Sequence, residues 1–181
     1  VASFGQNGRV NLREGLGRET DRLFVLSNTP GILFEDRLII GTRVSEGPGP
    51  AAPGHIRAYN VLDGSMEWIF HTIPQPGEMG IDTWPEEAWK TMGGANTWSG
   101  MSLDIKRGWI FCPTGSPAFD FWGGNRHGRN LFGNCLLVLN ARSGKRIWHY
   151  QVVHHDLWDR DLPAAPNLIE LNMDGKKVEA V

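Results

Sequence analysis

Two stretches of this chain repeat one another in register, and the repeat limits the folds open to it. Ile56-Arg57-Ala58-Tyr59-Asn60-Val61-Leu62-Asp63-Gly64-Ser65-Met66-Glu67-Trp68 and Leu136-Leu137-Val138-Leu139-Asn140-Ala141-Arg142-Ser143-Gly144-Lys145-Arg146-Ile147-Trp148 share one pattern. Each is an apolar strand ending in Asn, a polar turn with Gly four residues on, and a Trp four residues after that. Trp68 and Trp148 stand 80 residues apart (148 − 68). Short strands repeated with a docking Trp are the pattern of β-propeller blades, in which each unit buries its faces against its neighbours.

The remaining segments fit that period. Phe24–Leu26, Gly31–Phe34 and Arg37–Thr42 read as short strands around polar turns. His55–Asn60 and Met66–Thr72 form one hairpin, Thr97–Ile105 and Trp109–Pro113 a second, and Cys135–Asn140 with Arg146–Val152 a third. This gives a blade over about 24–72, another over about 96–152 and the start of a next one over about 164–181. Residues 1–20 are polar and Gly-rich and read as a loop or connection. The Gly/Pro-rich run 43–54 excludes helix and central strand; it is either a linker or a structured loop at the end of a sheet, and the strands that resume on both sides favour the second. Long loops at 73–95 and 114–133 account for the length beyond minimal blades and would gather at one face to build a site. Two blades leave open sheet edges, which is expected of a piece of a longer protein and not of a stable unit.

Composition narrows the function classes. With 18 basic against 20 acidic residues and no basic run, nothing marks a nucleic-acid or anionic-membrane surface. The apolar runs are too short and too interrupted by charge for a transmembrane helix. Cys112 and Cys135 allow a single bridge, but two small buried residues is the simpler reading.

The densest chemistry lies in Val152-Val153-His154-His155-Asp156-Leu157-Trp158-Asp159-Arg160-Asp161-Leu162-Pro163. Two histidines, three carboxylates and a tryptophan within a dozen residues are costly to bury unless something is being positioned. Adjacent side chains on an extended segment point to opposite faces, so His154 and His155 do not form a shared transition-metal site. One of them would orient Asp159 or a loop carbonyl and the other would be structural. Asp159 itself reads either as the reactive carboxylate or as the cap of a turn before Leu162-Pro163.

These motifs carry a resemblance. Gly-Gly-Ala-Asn-Thr-Trp-Ser-Gly-Met-Ser-Leu-Asp at 93–104 and His-His-Asp-Leu-Trp-Asp-Arg-Asp-Leu-Pro at 154–163 resemble the pyrroloquinoline quinone (PQQ)-dependent dehydrogenases. The membrane-bound glucose dehydrogenase type is the most similar branch. The resemblance implies an all-β, eight-bladed propeller that oxidises a sugar or another alcohol by hydride transfer to PQQ. It gives Asp159 the role of general base, which suits a partly desolvated carboxylate. It places Trp98 as the flat floor beneath the quinone, with Asn96 and Thr97 beside it; a core Trp between blades is the plainer alternative. Glu46, in the Gly/Pro-rich loop, would be an oxygen ligand to Ca²⁺ or Mg²⁺, and Arg43 would face a PQQ carboxylate or lie solvated on the surface. Ser116 occupies the position where alcohol-oxidising relatives carry a metal-ligating Asn, a departure that favours sugar- or polyol-type relatives. Trp122, Asn125 and Arg126 would wall the substrate entrance. The resemblance further implies ubiquinone or cytochrome c as electron acceptor, a periplasmic location and the remaining propeller blades as partners.

Two rivals from other classes stand beside this. A non-catalytic propeller would keep the Trp repeats as a scaffold for protein partners, but has no reason to gather Trp98, Glu46 and Asp159. A propeller hydrolase using His154 and Asp159 lacks a nucleophile at suitable spacing.

Overall fold

The computed structural model describes residues 1–181 and is almost wholly β. In chain order the strands are β1 (Val25–Leu26), β2 (Ile32–Phe34), β3 (Arg37–Ile40), β4 (Arg43–Val44), β5 (Ile56–Asn60) and β6 (Met66–Phe70). They continue as β7 (Ser102–Asp104), β8 (Trp109–Pro113), β9 (Cys135–Asn140), β10 (Arg146–Gln151), β11 (Ile169–Met173) and β12 (Lys176–Ala180). β2-β3-β5-β6 and β7-β8-β9-β10 form two antiparallel four-stranded sheets, each a blade of a β-propeller. β4 leaves the first of them to pair with β1 (Val25 opposite Val44), and β11-β12 form a separate hairpin.

The blades form because alternate residues of the central strands are apolar. Ile56 and Ala58 of β5 and Ile39 of β3 face Cys135, Leu137 and Leu139 of β9 and Ile110 and Cys112 of β8 in one core. Each such side chain is buried and contributes roughly 1.5–3 kcal/mol relative to exposure. Both cysteines are free and buried in this core.

The repeated motif explains how one blade joins the next. In each turn the glycine amide donates to the Asn carbonyl (Gly64 to Asn60 and Gly144 to Asn140, both 2.9 Å). The Asn side-chain oxygen also accepts the amide two residues on (2.9 Å from Leu62, 3.0 Å from Arg142). Gly64 and Gly144 sit at φ 76° and 67°, which suits glycine best. Trp68 Nε1–H then crosses to the second blade and donates to Ala141 O at 3.1 Å, its ring lying over Gly144. Trp148 occupies the equivalent position on the second blade and is only half-buried.

The loops differ in detail from the sequence expectation. Loop 43–54 is structured: Ala51–Gly54 are buried, and Gly54 N–H donates to Gly94 O at 2.9 Å. Loop 73–95 holds a 3₁₀ turn (Ile81–Thr83) and a helical turn (Ala88–Thr91), packed through Ile73, Trp84, Ala88 and Ala95. Strand character expected from Thr97 begins only at Ser102. Thr97–Met101 are diverted, because Trp98 and Ser99 bond to Asp161 and Leu162 instead of a sheet neighbour. Similarly, the strand expected over Arg37–Thr42 stops at Ile40, after which the chain crosses to β1.

Candidate active site

The segment after β10 folds around Asp156, which is 1% exposed. Its Oδ2 accepts from Ser116 Oγ–H at 2.6 Å, Asn134 Nδ2–H at 3.0 Å and Arg160 N–H at 2.6 Å, while Oδ1 accepts from Trp158 N–H at 3.0 Å. Burial works against ionisation, but these donors outweigh it and hold the Asp156 pKa below the usual carboxylate range. The turn is therefore capped by Asp156, which directly follows the histidine pair. Arg126, fully buried, braces the same segment by donating to Asp156 O (2.5 Å) and Phe119 O (2.9 Å).

Asp161 is a second fixed carboxylate. It accepts from Trp98 Nε1–H at 2.6 Å and from Ser116 N–H at 2.5 Å, joining loops 96–101, 114–133 and 154–163. Trp98 is half-buried with its edge held by this bond.

Asp159 lies between these two, exposed, at φ 54°, and nothing in the chain donates a hydrogen bond to its carboxylate. Its pKa is raised by partial desolvation and by the charges of Asp161, Glu46 and Asp156. Glu46, exposed and 3.9 Å from Arg43, faces the same space. Asp120 completes the group. It is buried, and its pKa is pushed up to about 7 by burial and then by Asp159, Glu46 and Asp161, with Arg126 opposing.

Most of the residues singled out in the sequence thus meet at one end of the two blades, but their surroundings differ. Asn96 is buried and donates to Thr42 O at 2.9 Å, so its amide is spent within the chain. Thr97 is buried with its hydroxyl unpartnered. The Ser116 hydroxyl, expected at a metal, is instead engaged by Asp156 and Asn134 and stands among structural donors. Arg126 is a buried brace and not an entrance wall, whereas Trp122 is 56% exposed. Of the histidines, His155 pairs with Gly128 O at 3.0 Å and His154 with Arg129 at 3.2 Å; neither touches Asp159. Sequence reasoning missed Asp120, whose only signal was a lone carboxylate between Phe119, Phe121 and Trp122.

Comparison with known proteins fits this geometry. The family described as "PQQ: Glucose/ethanol/alcohol dehydrogenase, beta-propeller domain" matches residues 1–181. The chain belongs to this PQQ-dependent dehydrogenase family. It is 38% identical to quinate/shikimate dehydrogenase (quinone) of Acinetobacter baylyi, covering 98% of this chain and 22% of that protein. It is 32% identical to quinoprotein glucose dehydrogenase of Escherichia coli, over 99% of this chain and 22% of the relative. Among solved structures, quinohemoprotein alcohol dehydrogenase ADHIIG from Pseudomonas putida superposes with a TM-score of 0.71 at 25% identity, over 82% of this chain and 23% of that one. This member of the PQQ-dependent dehydrogenases thus spans about a fifth of the length of its curated relatives.

Proposed function

We propose that this chain supplies the base and part of the cofactor and cation surroundings of a PQQ-dependent dehydrogenase that oxidises a sugar or another alcohol. The observation that carries the reading is the division of labour in 154–163. Asp156 and Asp161 are consumed in holding the segment, while Asp159 is left exposed, unbonded and raised in pKa. A carboxylate so placed accepts the proton of a substrate hydroxyl. The relatives named for quinate, shikimate and glucose make a hydroxylated ring the favoured substrate class.

The residues fit the cofactor and its ion. PQQ, when bound, supplies the carbonyl carbon that takes the hydride. Trp98 offers an apolar plane whose tilt is fixed by Asp161, with the Asn96-Thr97 backbone beside it, and Arg43 offers a cation for a PQQ carboxylate. Partial desolvation and then the charges of Asp161 and Glu46 raise the proton affinity of Asp159, and a carboxylate such as Glu46 suits a site for Ca²⁺ or Mg²⁺. No three His, Cys, Asp or Glu side chains are close enough to hold an ion by themselves, so Glu46 would share it with donors from outside this set. Ubiquinone or cytochrome c as acceptor and a periplasmic location belong to the same proposal.

The test uses the full-length parent protein, reconstituted with PQQ and Ca²⁺ or Mg²⁺, beside Asp159→Asn. Dye reduction with glucose, quinate or simple alcohols should require PQQ and metal and fall by about 10²-fold or more in the variant while PQQ still binds. Full activity in the variant would remove Asp159 as the base. A parent protein that neither binds PQQ nor turns over would favour the scaffold.

A further inference from the structure

One acidic group near Asp159 has no structural employment. Asp120 is only 6% exposed, and the chain donates no hydrogen bond to its carboxylate. It lines a cavity of about 560 Å³ together with Glu46, Phe119, Phe121 and Trp122. That volume falls within the range of small-molecule sites, about 300–1,000 Å³. Its oxygens are not sealed from that cavity, so a ligand seated there can supply the hydrogen bonds that the chain does not.

The cavity wall indicates the ligand's chemistry. Phe119 and Trp122 are stacked with centroids 6.3 Å apart and planes 30° from parallel. Phe121 and Trp122 are 72% and 56% exposed, large apolar faces held open beside two carboxylates. Their position is built: Arg126 fixes the Phe119 carbonyl, and a Cβ on Gly47 would come within 2.5 Å of the Phe119 ring. A bare cation would call for oxygen donors, which aromatic carbons do not provide. A ring bearing several hydroxyls has both halves of the match, a C–H face for the indole and an O–H rim for the carboxylate.

We propose that Asp120 and Trp122 form the subsite that selects a polyhydroxylated ring, Asp120 accepting hydrogen bonds from adjacent hydroxyls and Trp122 covering the C–H face. The proposal rests on the dehydrogenase reading only for what happens to the bound ring afterwards. Asp120 is a neighbour of Asp159, so a ring held here presents a hydroxyl beside the proposed base.

The experiment takes the full-length holoenzyme, with Asp120→Asn as a near-isosteric change and Trp122→Ala at an exposed position. Turnover of glucose and quinate is compared with 1-propanol, and calorimetry measures glucose and quinate binding directly. Both variants should lower kcat/KM for the rings about 10- to 100-fold, mainly through KM, and shift 1-propanol less than about 3-fold. Ring binding should weaken by a similar factor while PQQ content is retained. Equal losses on rings and 1-propanol, or lost PQQ, would make Asp120 a cofactor or ion residue and overturn the subsite. Unchanged kinetics would overturn it as well. Ring binding that depends on Asp120 without any turnover would sink the dehydrogenase reading and keep the subsite. Turnover without ring discrimination would do the reverse.

Discussion

Three aspartates within six residues look alike in sequence, yet burial and donors give them three roles. Asp156 ties the loop, Asp161 ties Trp98, and Asp159 remains available. The segment was legible because its motif is dense and specific. The anchoring roles were not, because Ser116 and Asn134, which make Asp156 a buried acceptor, arrive from 40 and 22 residues away. Asp120 was invisible for a related reason: its high pKa comes from burial in the folded chain and then from carboxylates on other loops. Replacing Asp156 by Asn tests the anchor. One amide NH₂ would then face the Ser116, Asn134 and Arg160 donors, which should cost about 2–4 kcal/mol in urea unfolding of the full-length protein. The loss of kcat should exceed what the unfolded fraction explains, because Asp159 is carried by the same turn. A variant with unchanged stability would show that Asp156 does not hold the loop.

At the scale of elements, the 80-residue repeat made the hairpins readable, since alternation and Asn/Gly turns are local signals. What it could not show was where a strand yields to a distant partner. Thr97–Met101 has strand-like composition, but the bonds of Trp98 and Ser99 to Asp161 and Leu162 take it out of the sheet. The joint between blades is the most exposed to mutation. Gly144 combines φ 67° with an ideal Cβ only 2.5 Å from the Trp68 ring. Gly144→Ala should therefore destabilise by about 2–4 kcal/mol, from the left-handed backbone and from overpacking the indole. Gly49→Ala, with nothing within 4 Å of its Cβ, should stay within about 0.5 kcal/mol. Thermal midpoints of the two variants in the full-length protein check this, and equal midpoints would remove the Trp68–Gly144 contact as the joint.

For the whole molecule, the repeat that joins the first blade to the second leaves the second with the same unfilled demand. Trp148 packs edge-on against Phe111 at 6.2 Å but is only partly covered by the β11–β12 hairpin. Between them runs a groove of about 620 Å³ lined by Leu103, Trp109, Trp148, Leu168 and Val181, which shares no residue with the cavity at Asp120. Ion pairing of Arg107 with Glu179 and the bond from Ser102 Oγ–H to Pro166 O anchor the hairpin at its edges without filling that groove. Leu168, Ile169, Leu171, Met173 and Val178 each remain about two-fifths or more exposed. An apolar face of this kind is covered by the next blade in a closed ring and is an association surface otherwise. Residues 1–181 produced alone should therefore bind a hydrophobic dye such as ANS and elute above monomer size, whereas the full-length parent should do neither. Trp148→Lys should reduce both signals in the short protein, because a charge cannot be buried between apolar faces. A dye-silent monomer of residues 1–181 would mean that the hairpin already closes the face and that the second blade needs no further neighbour.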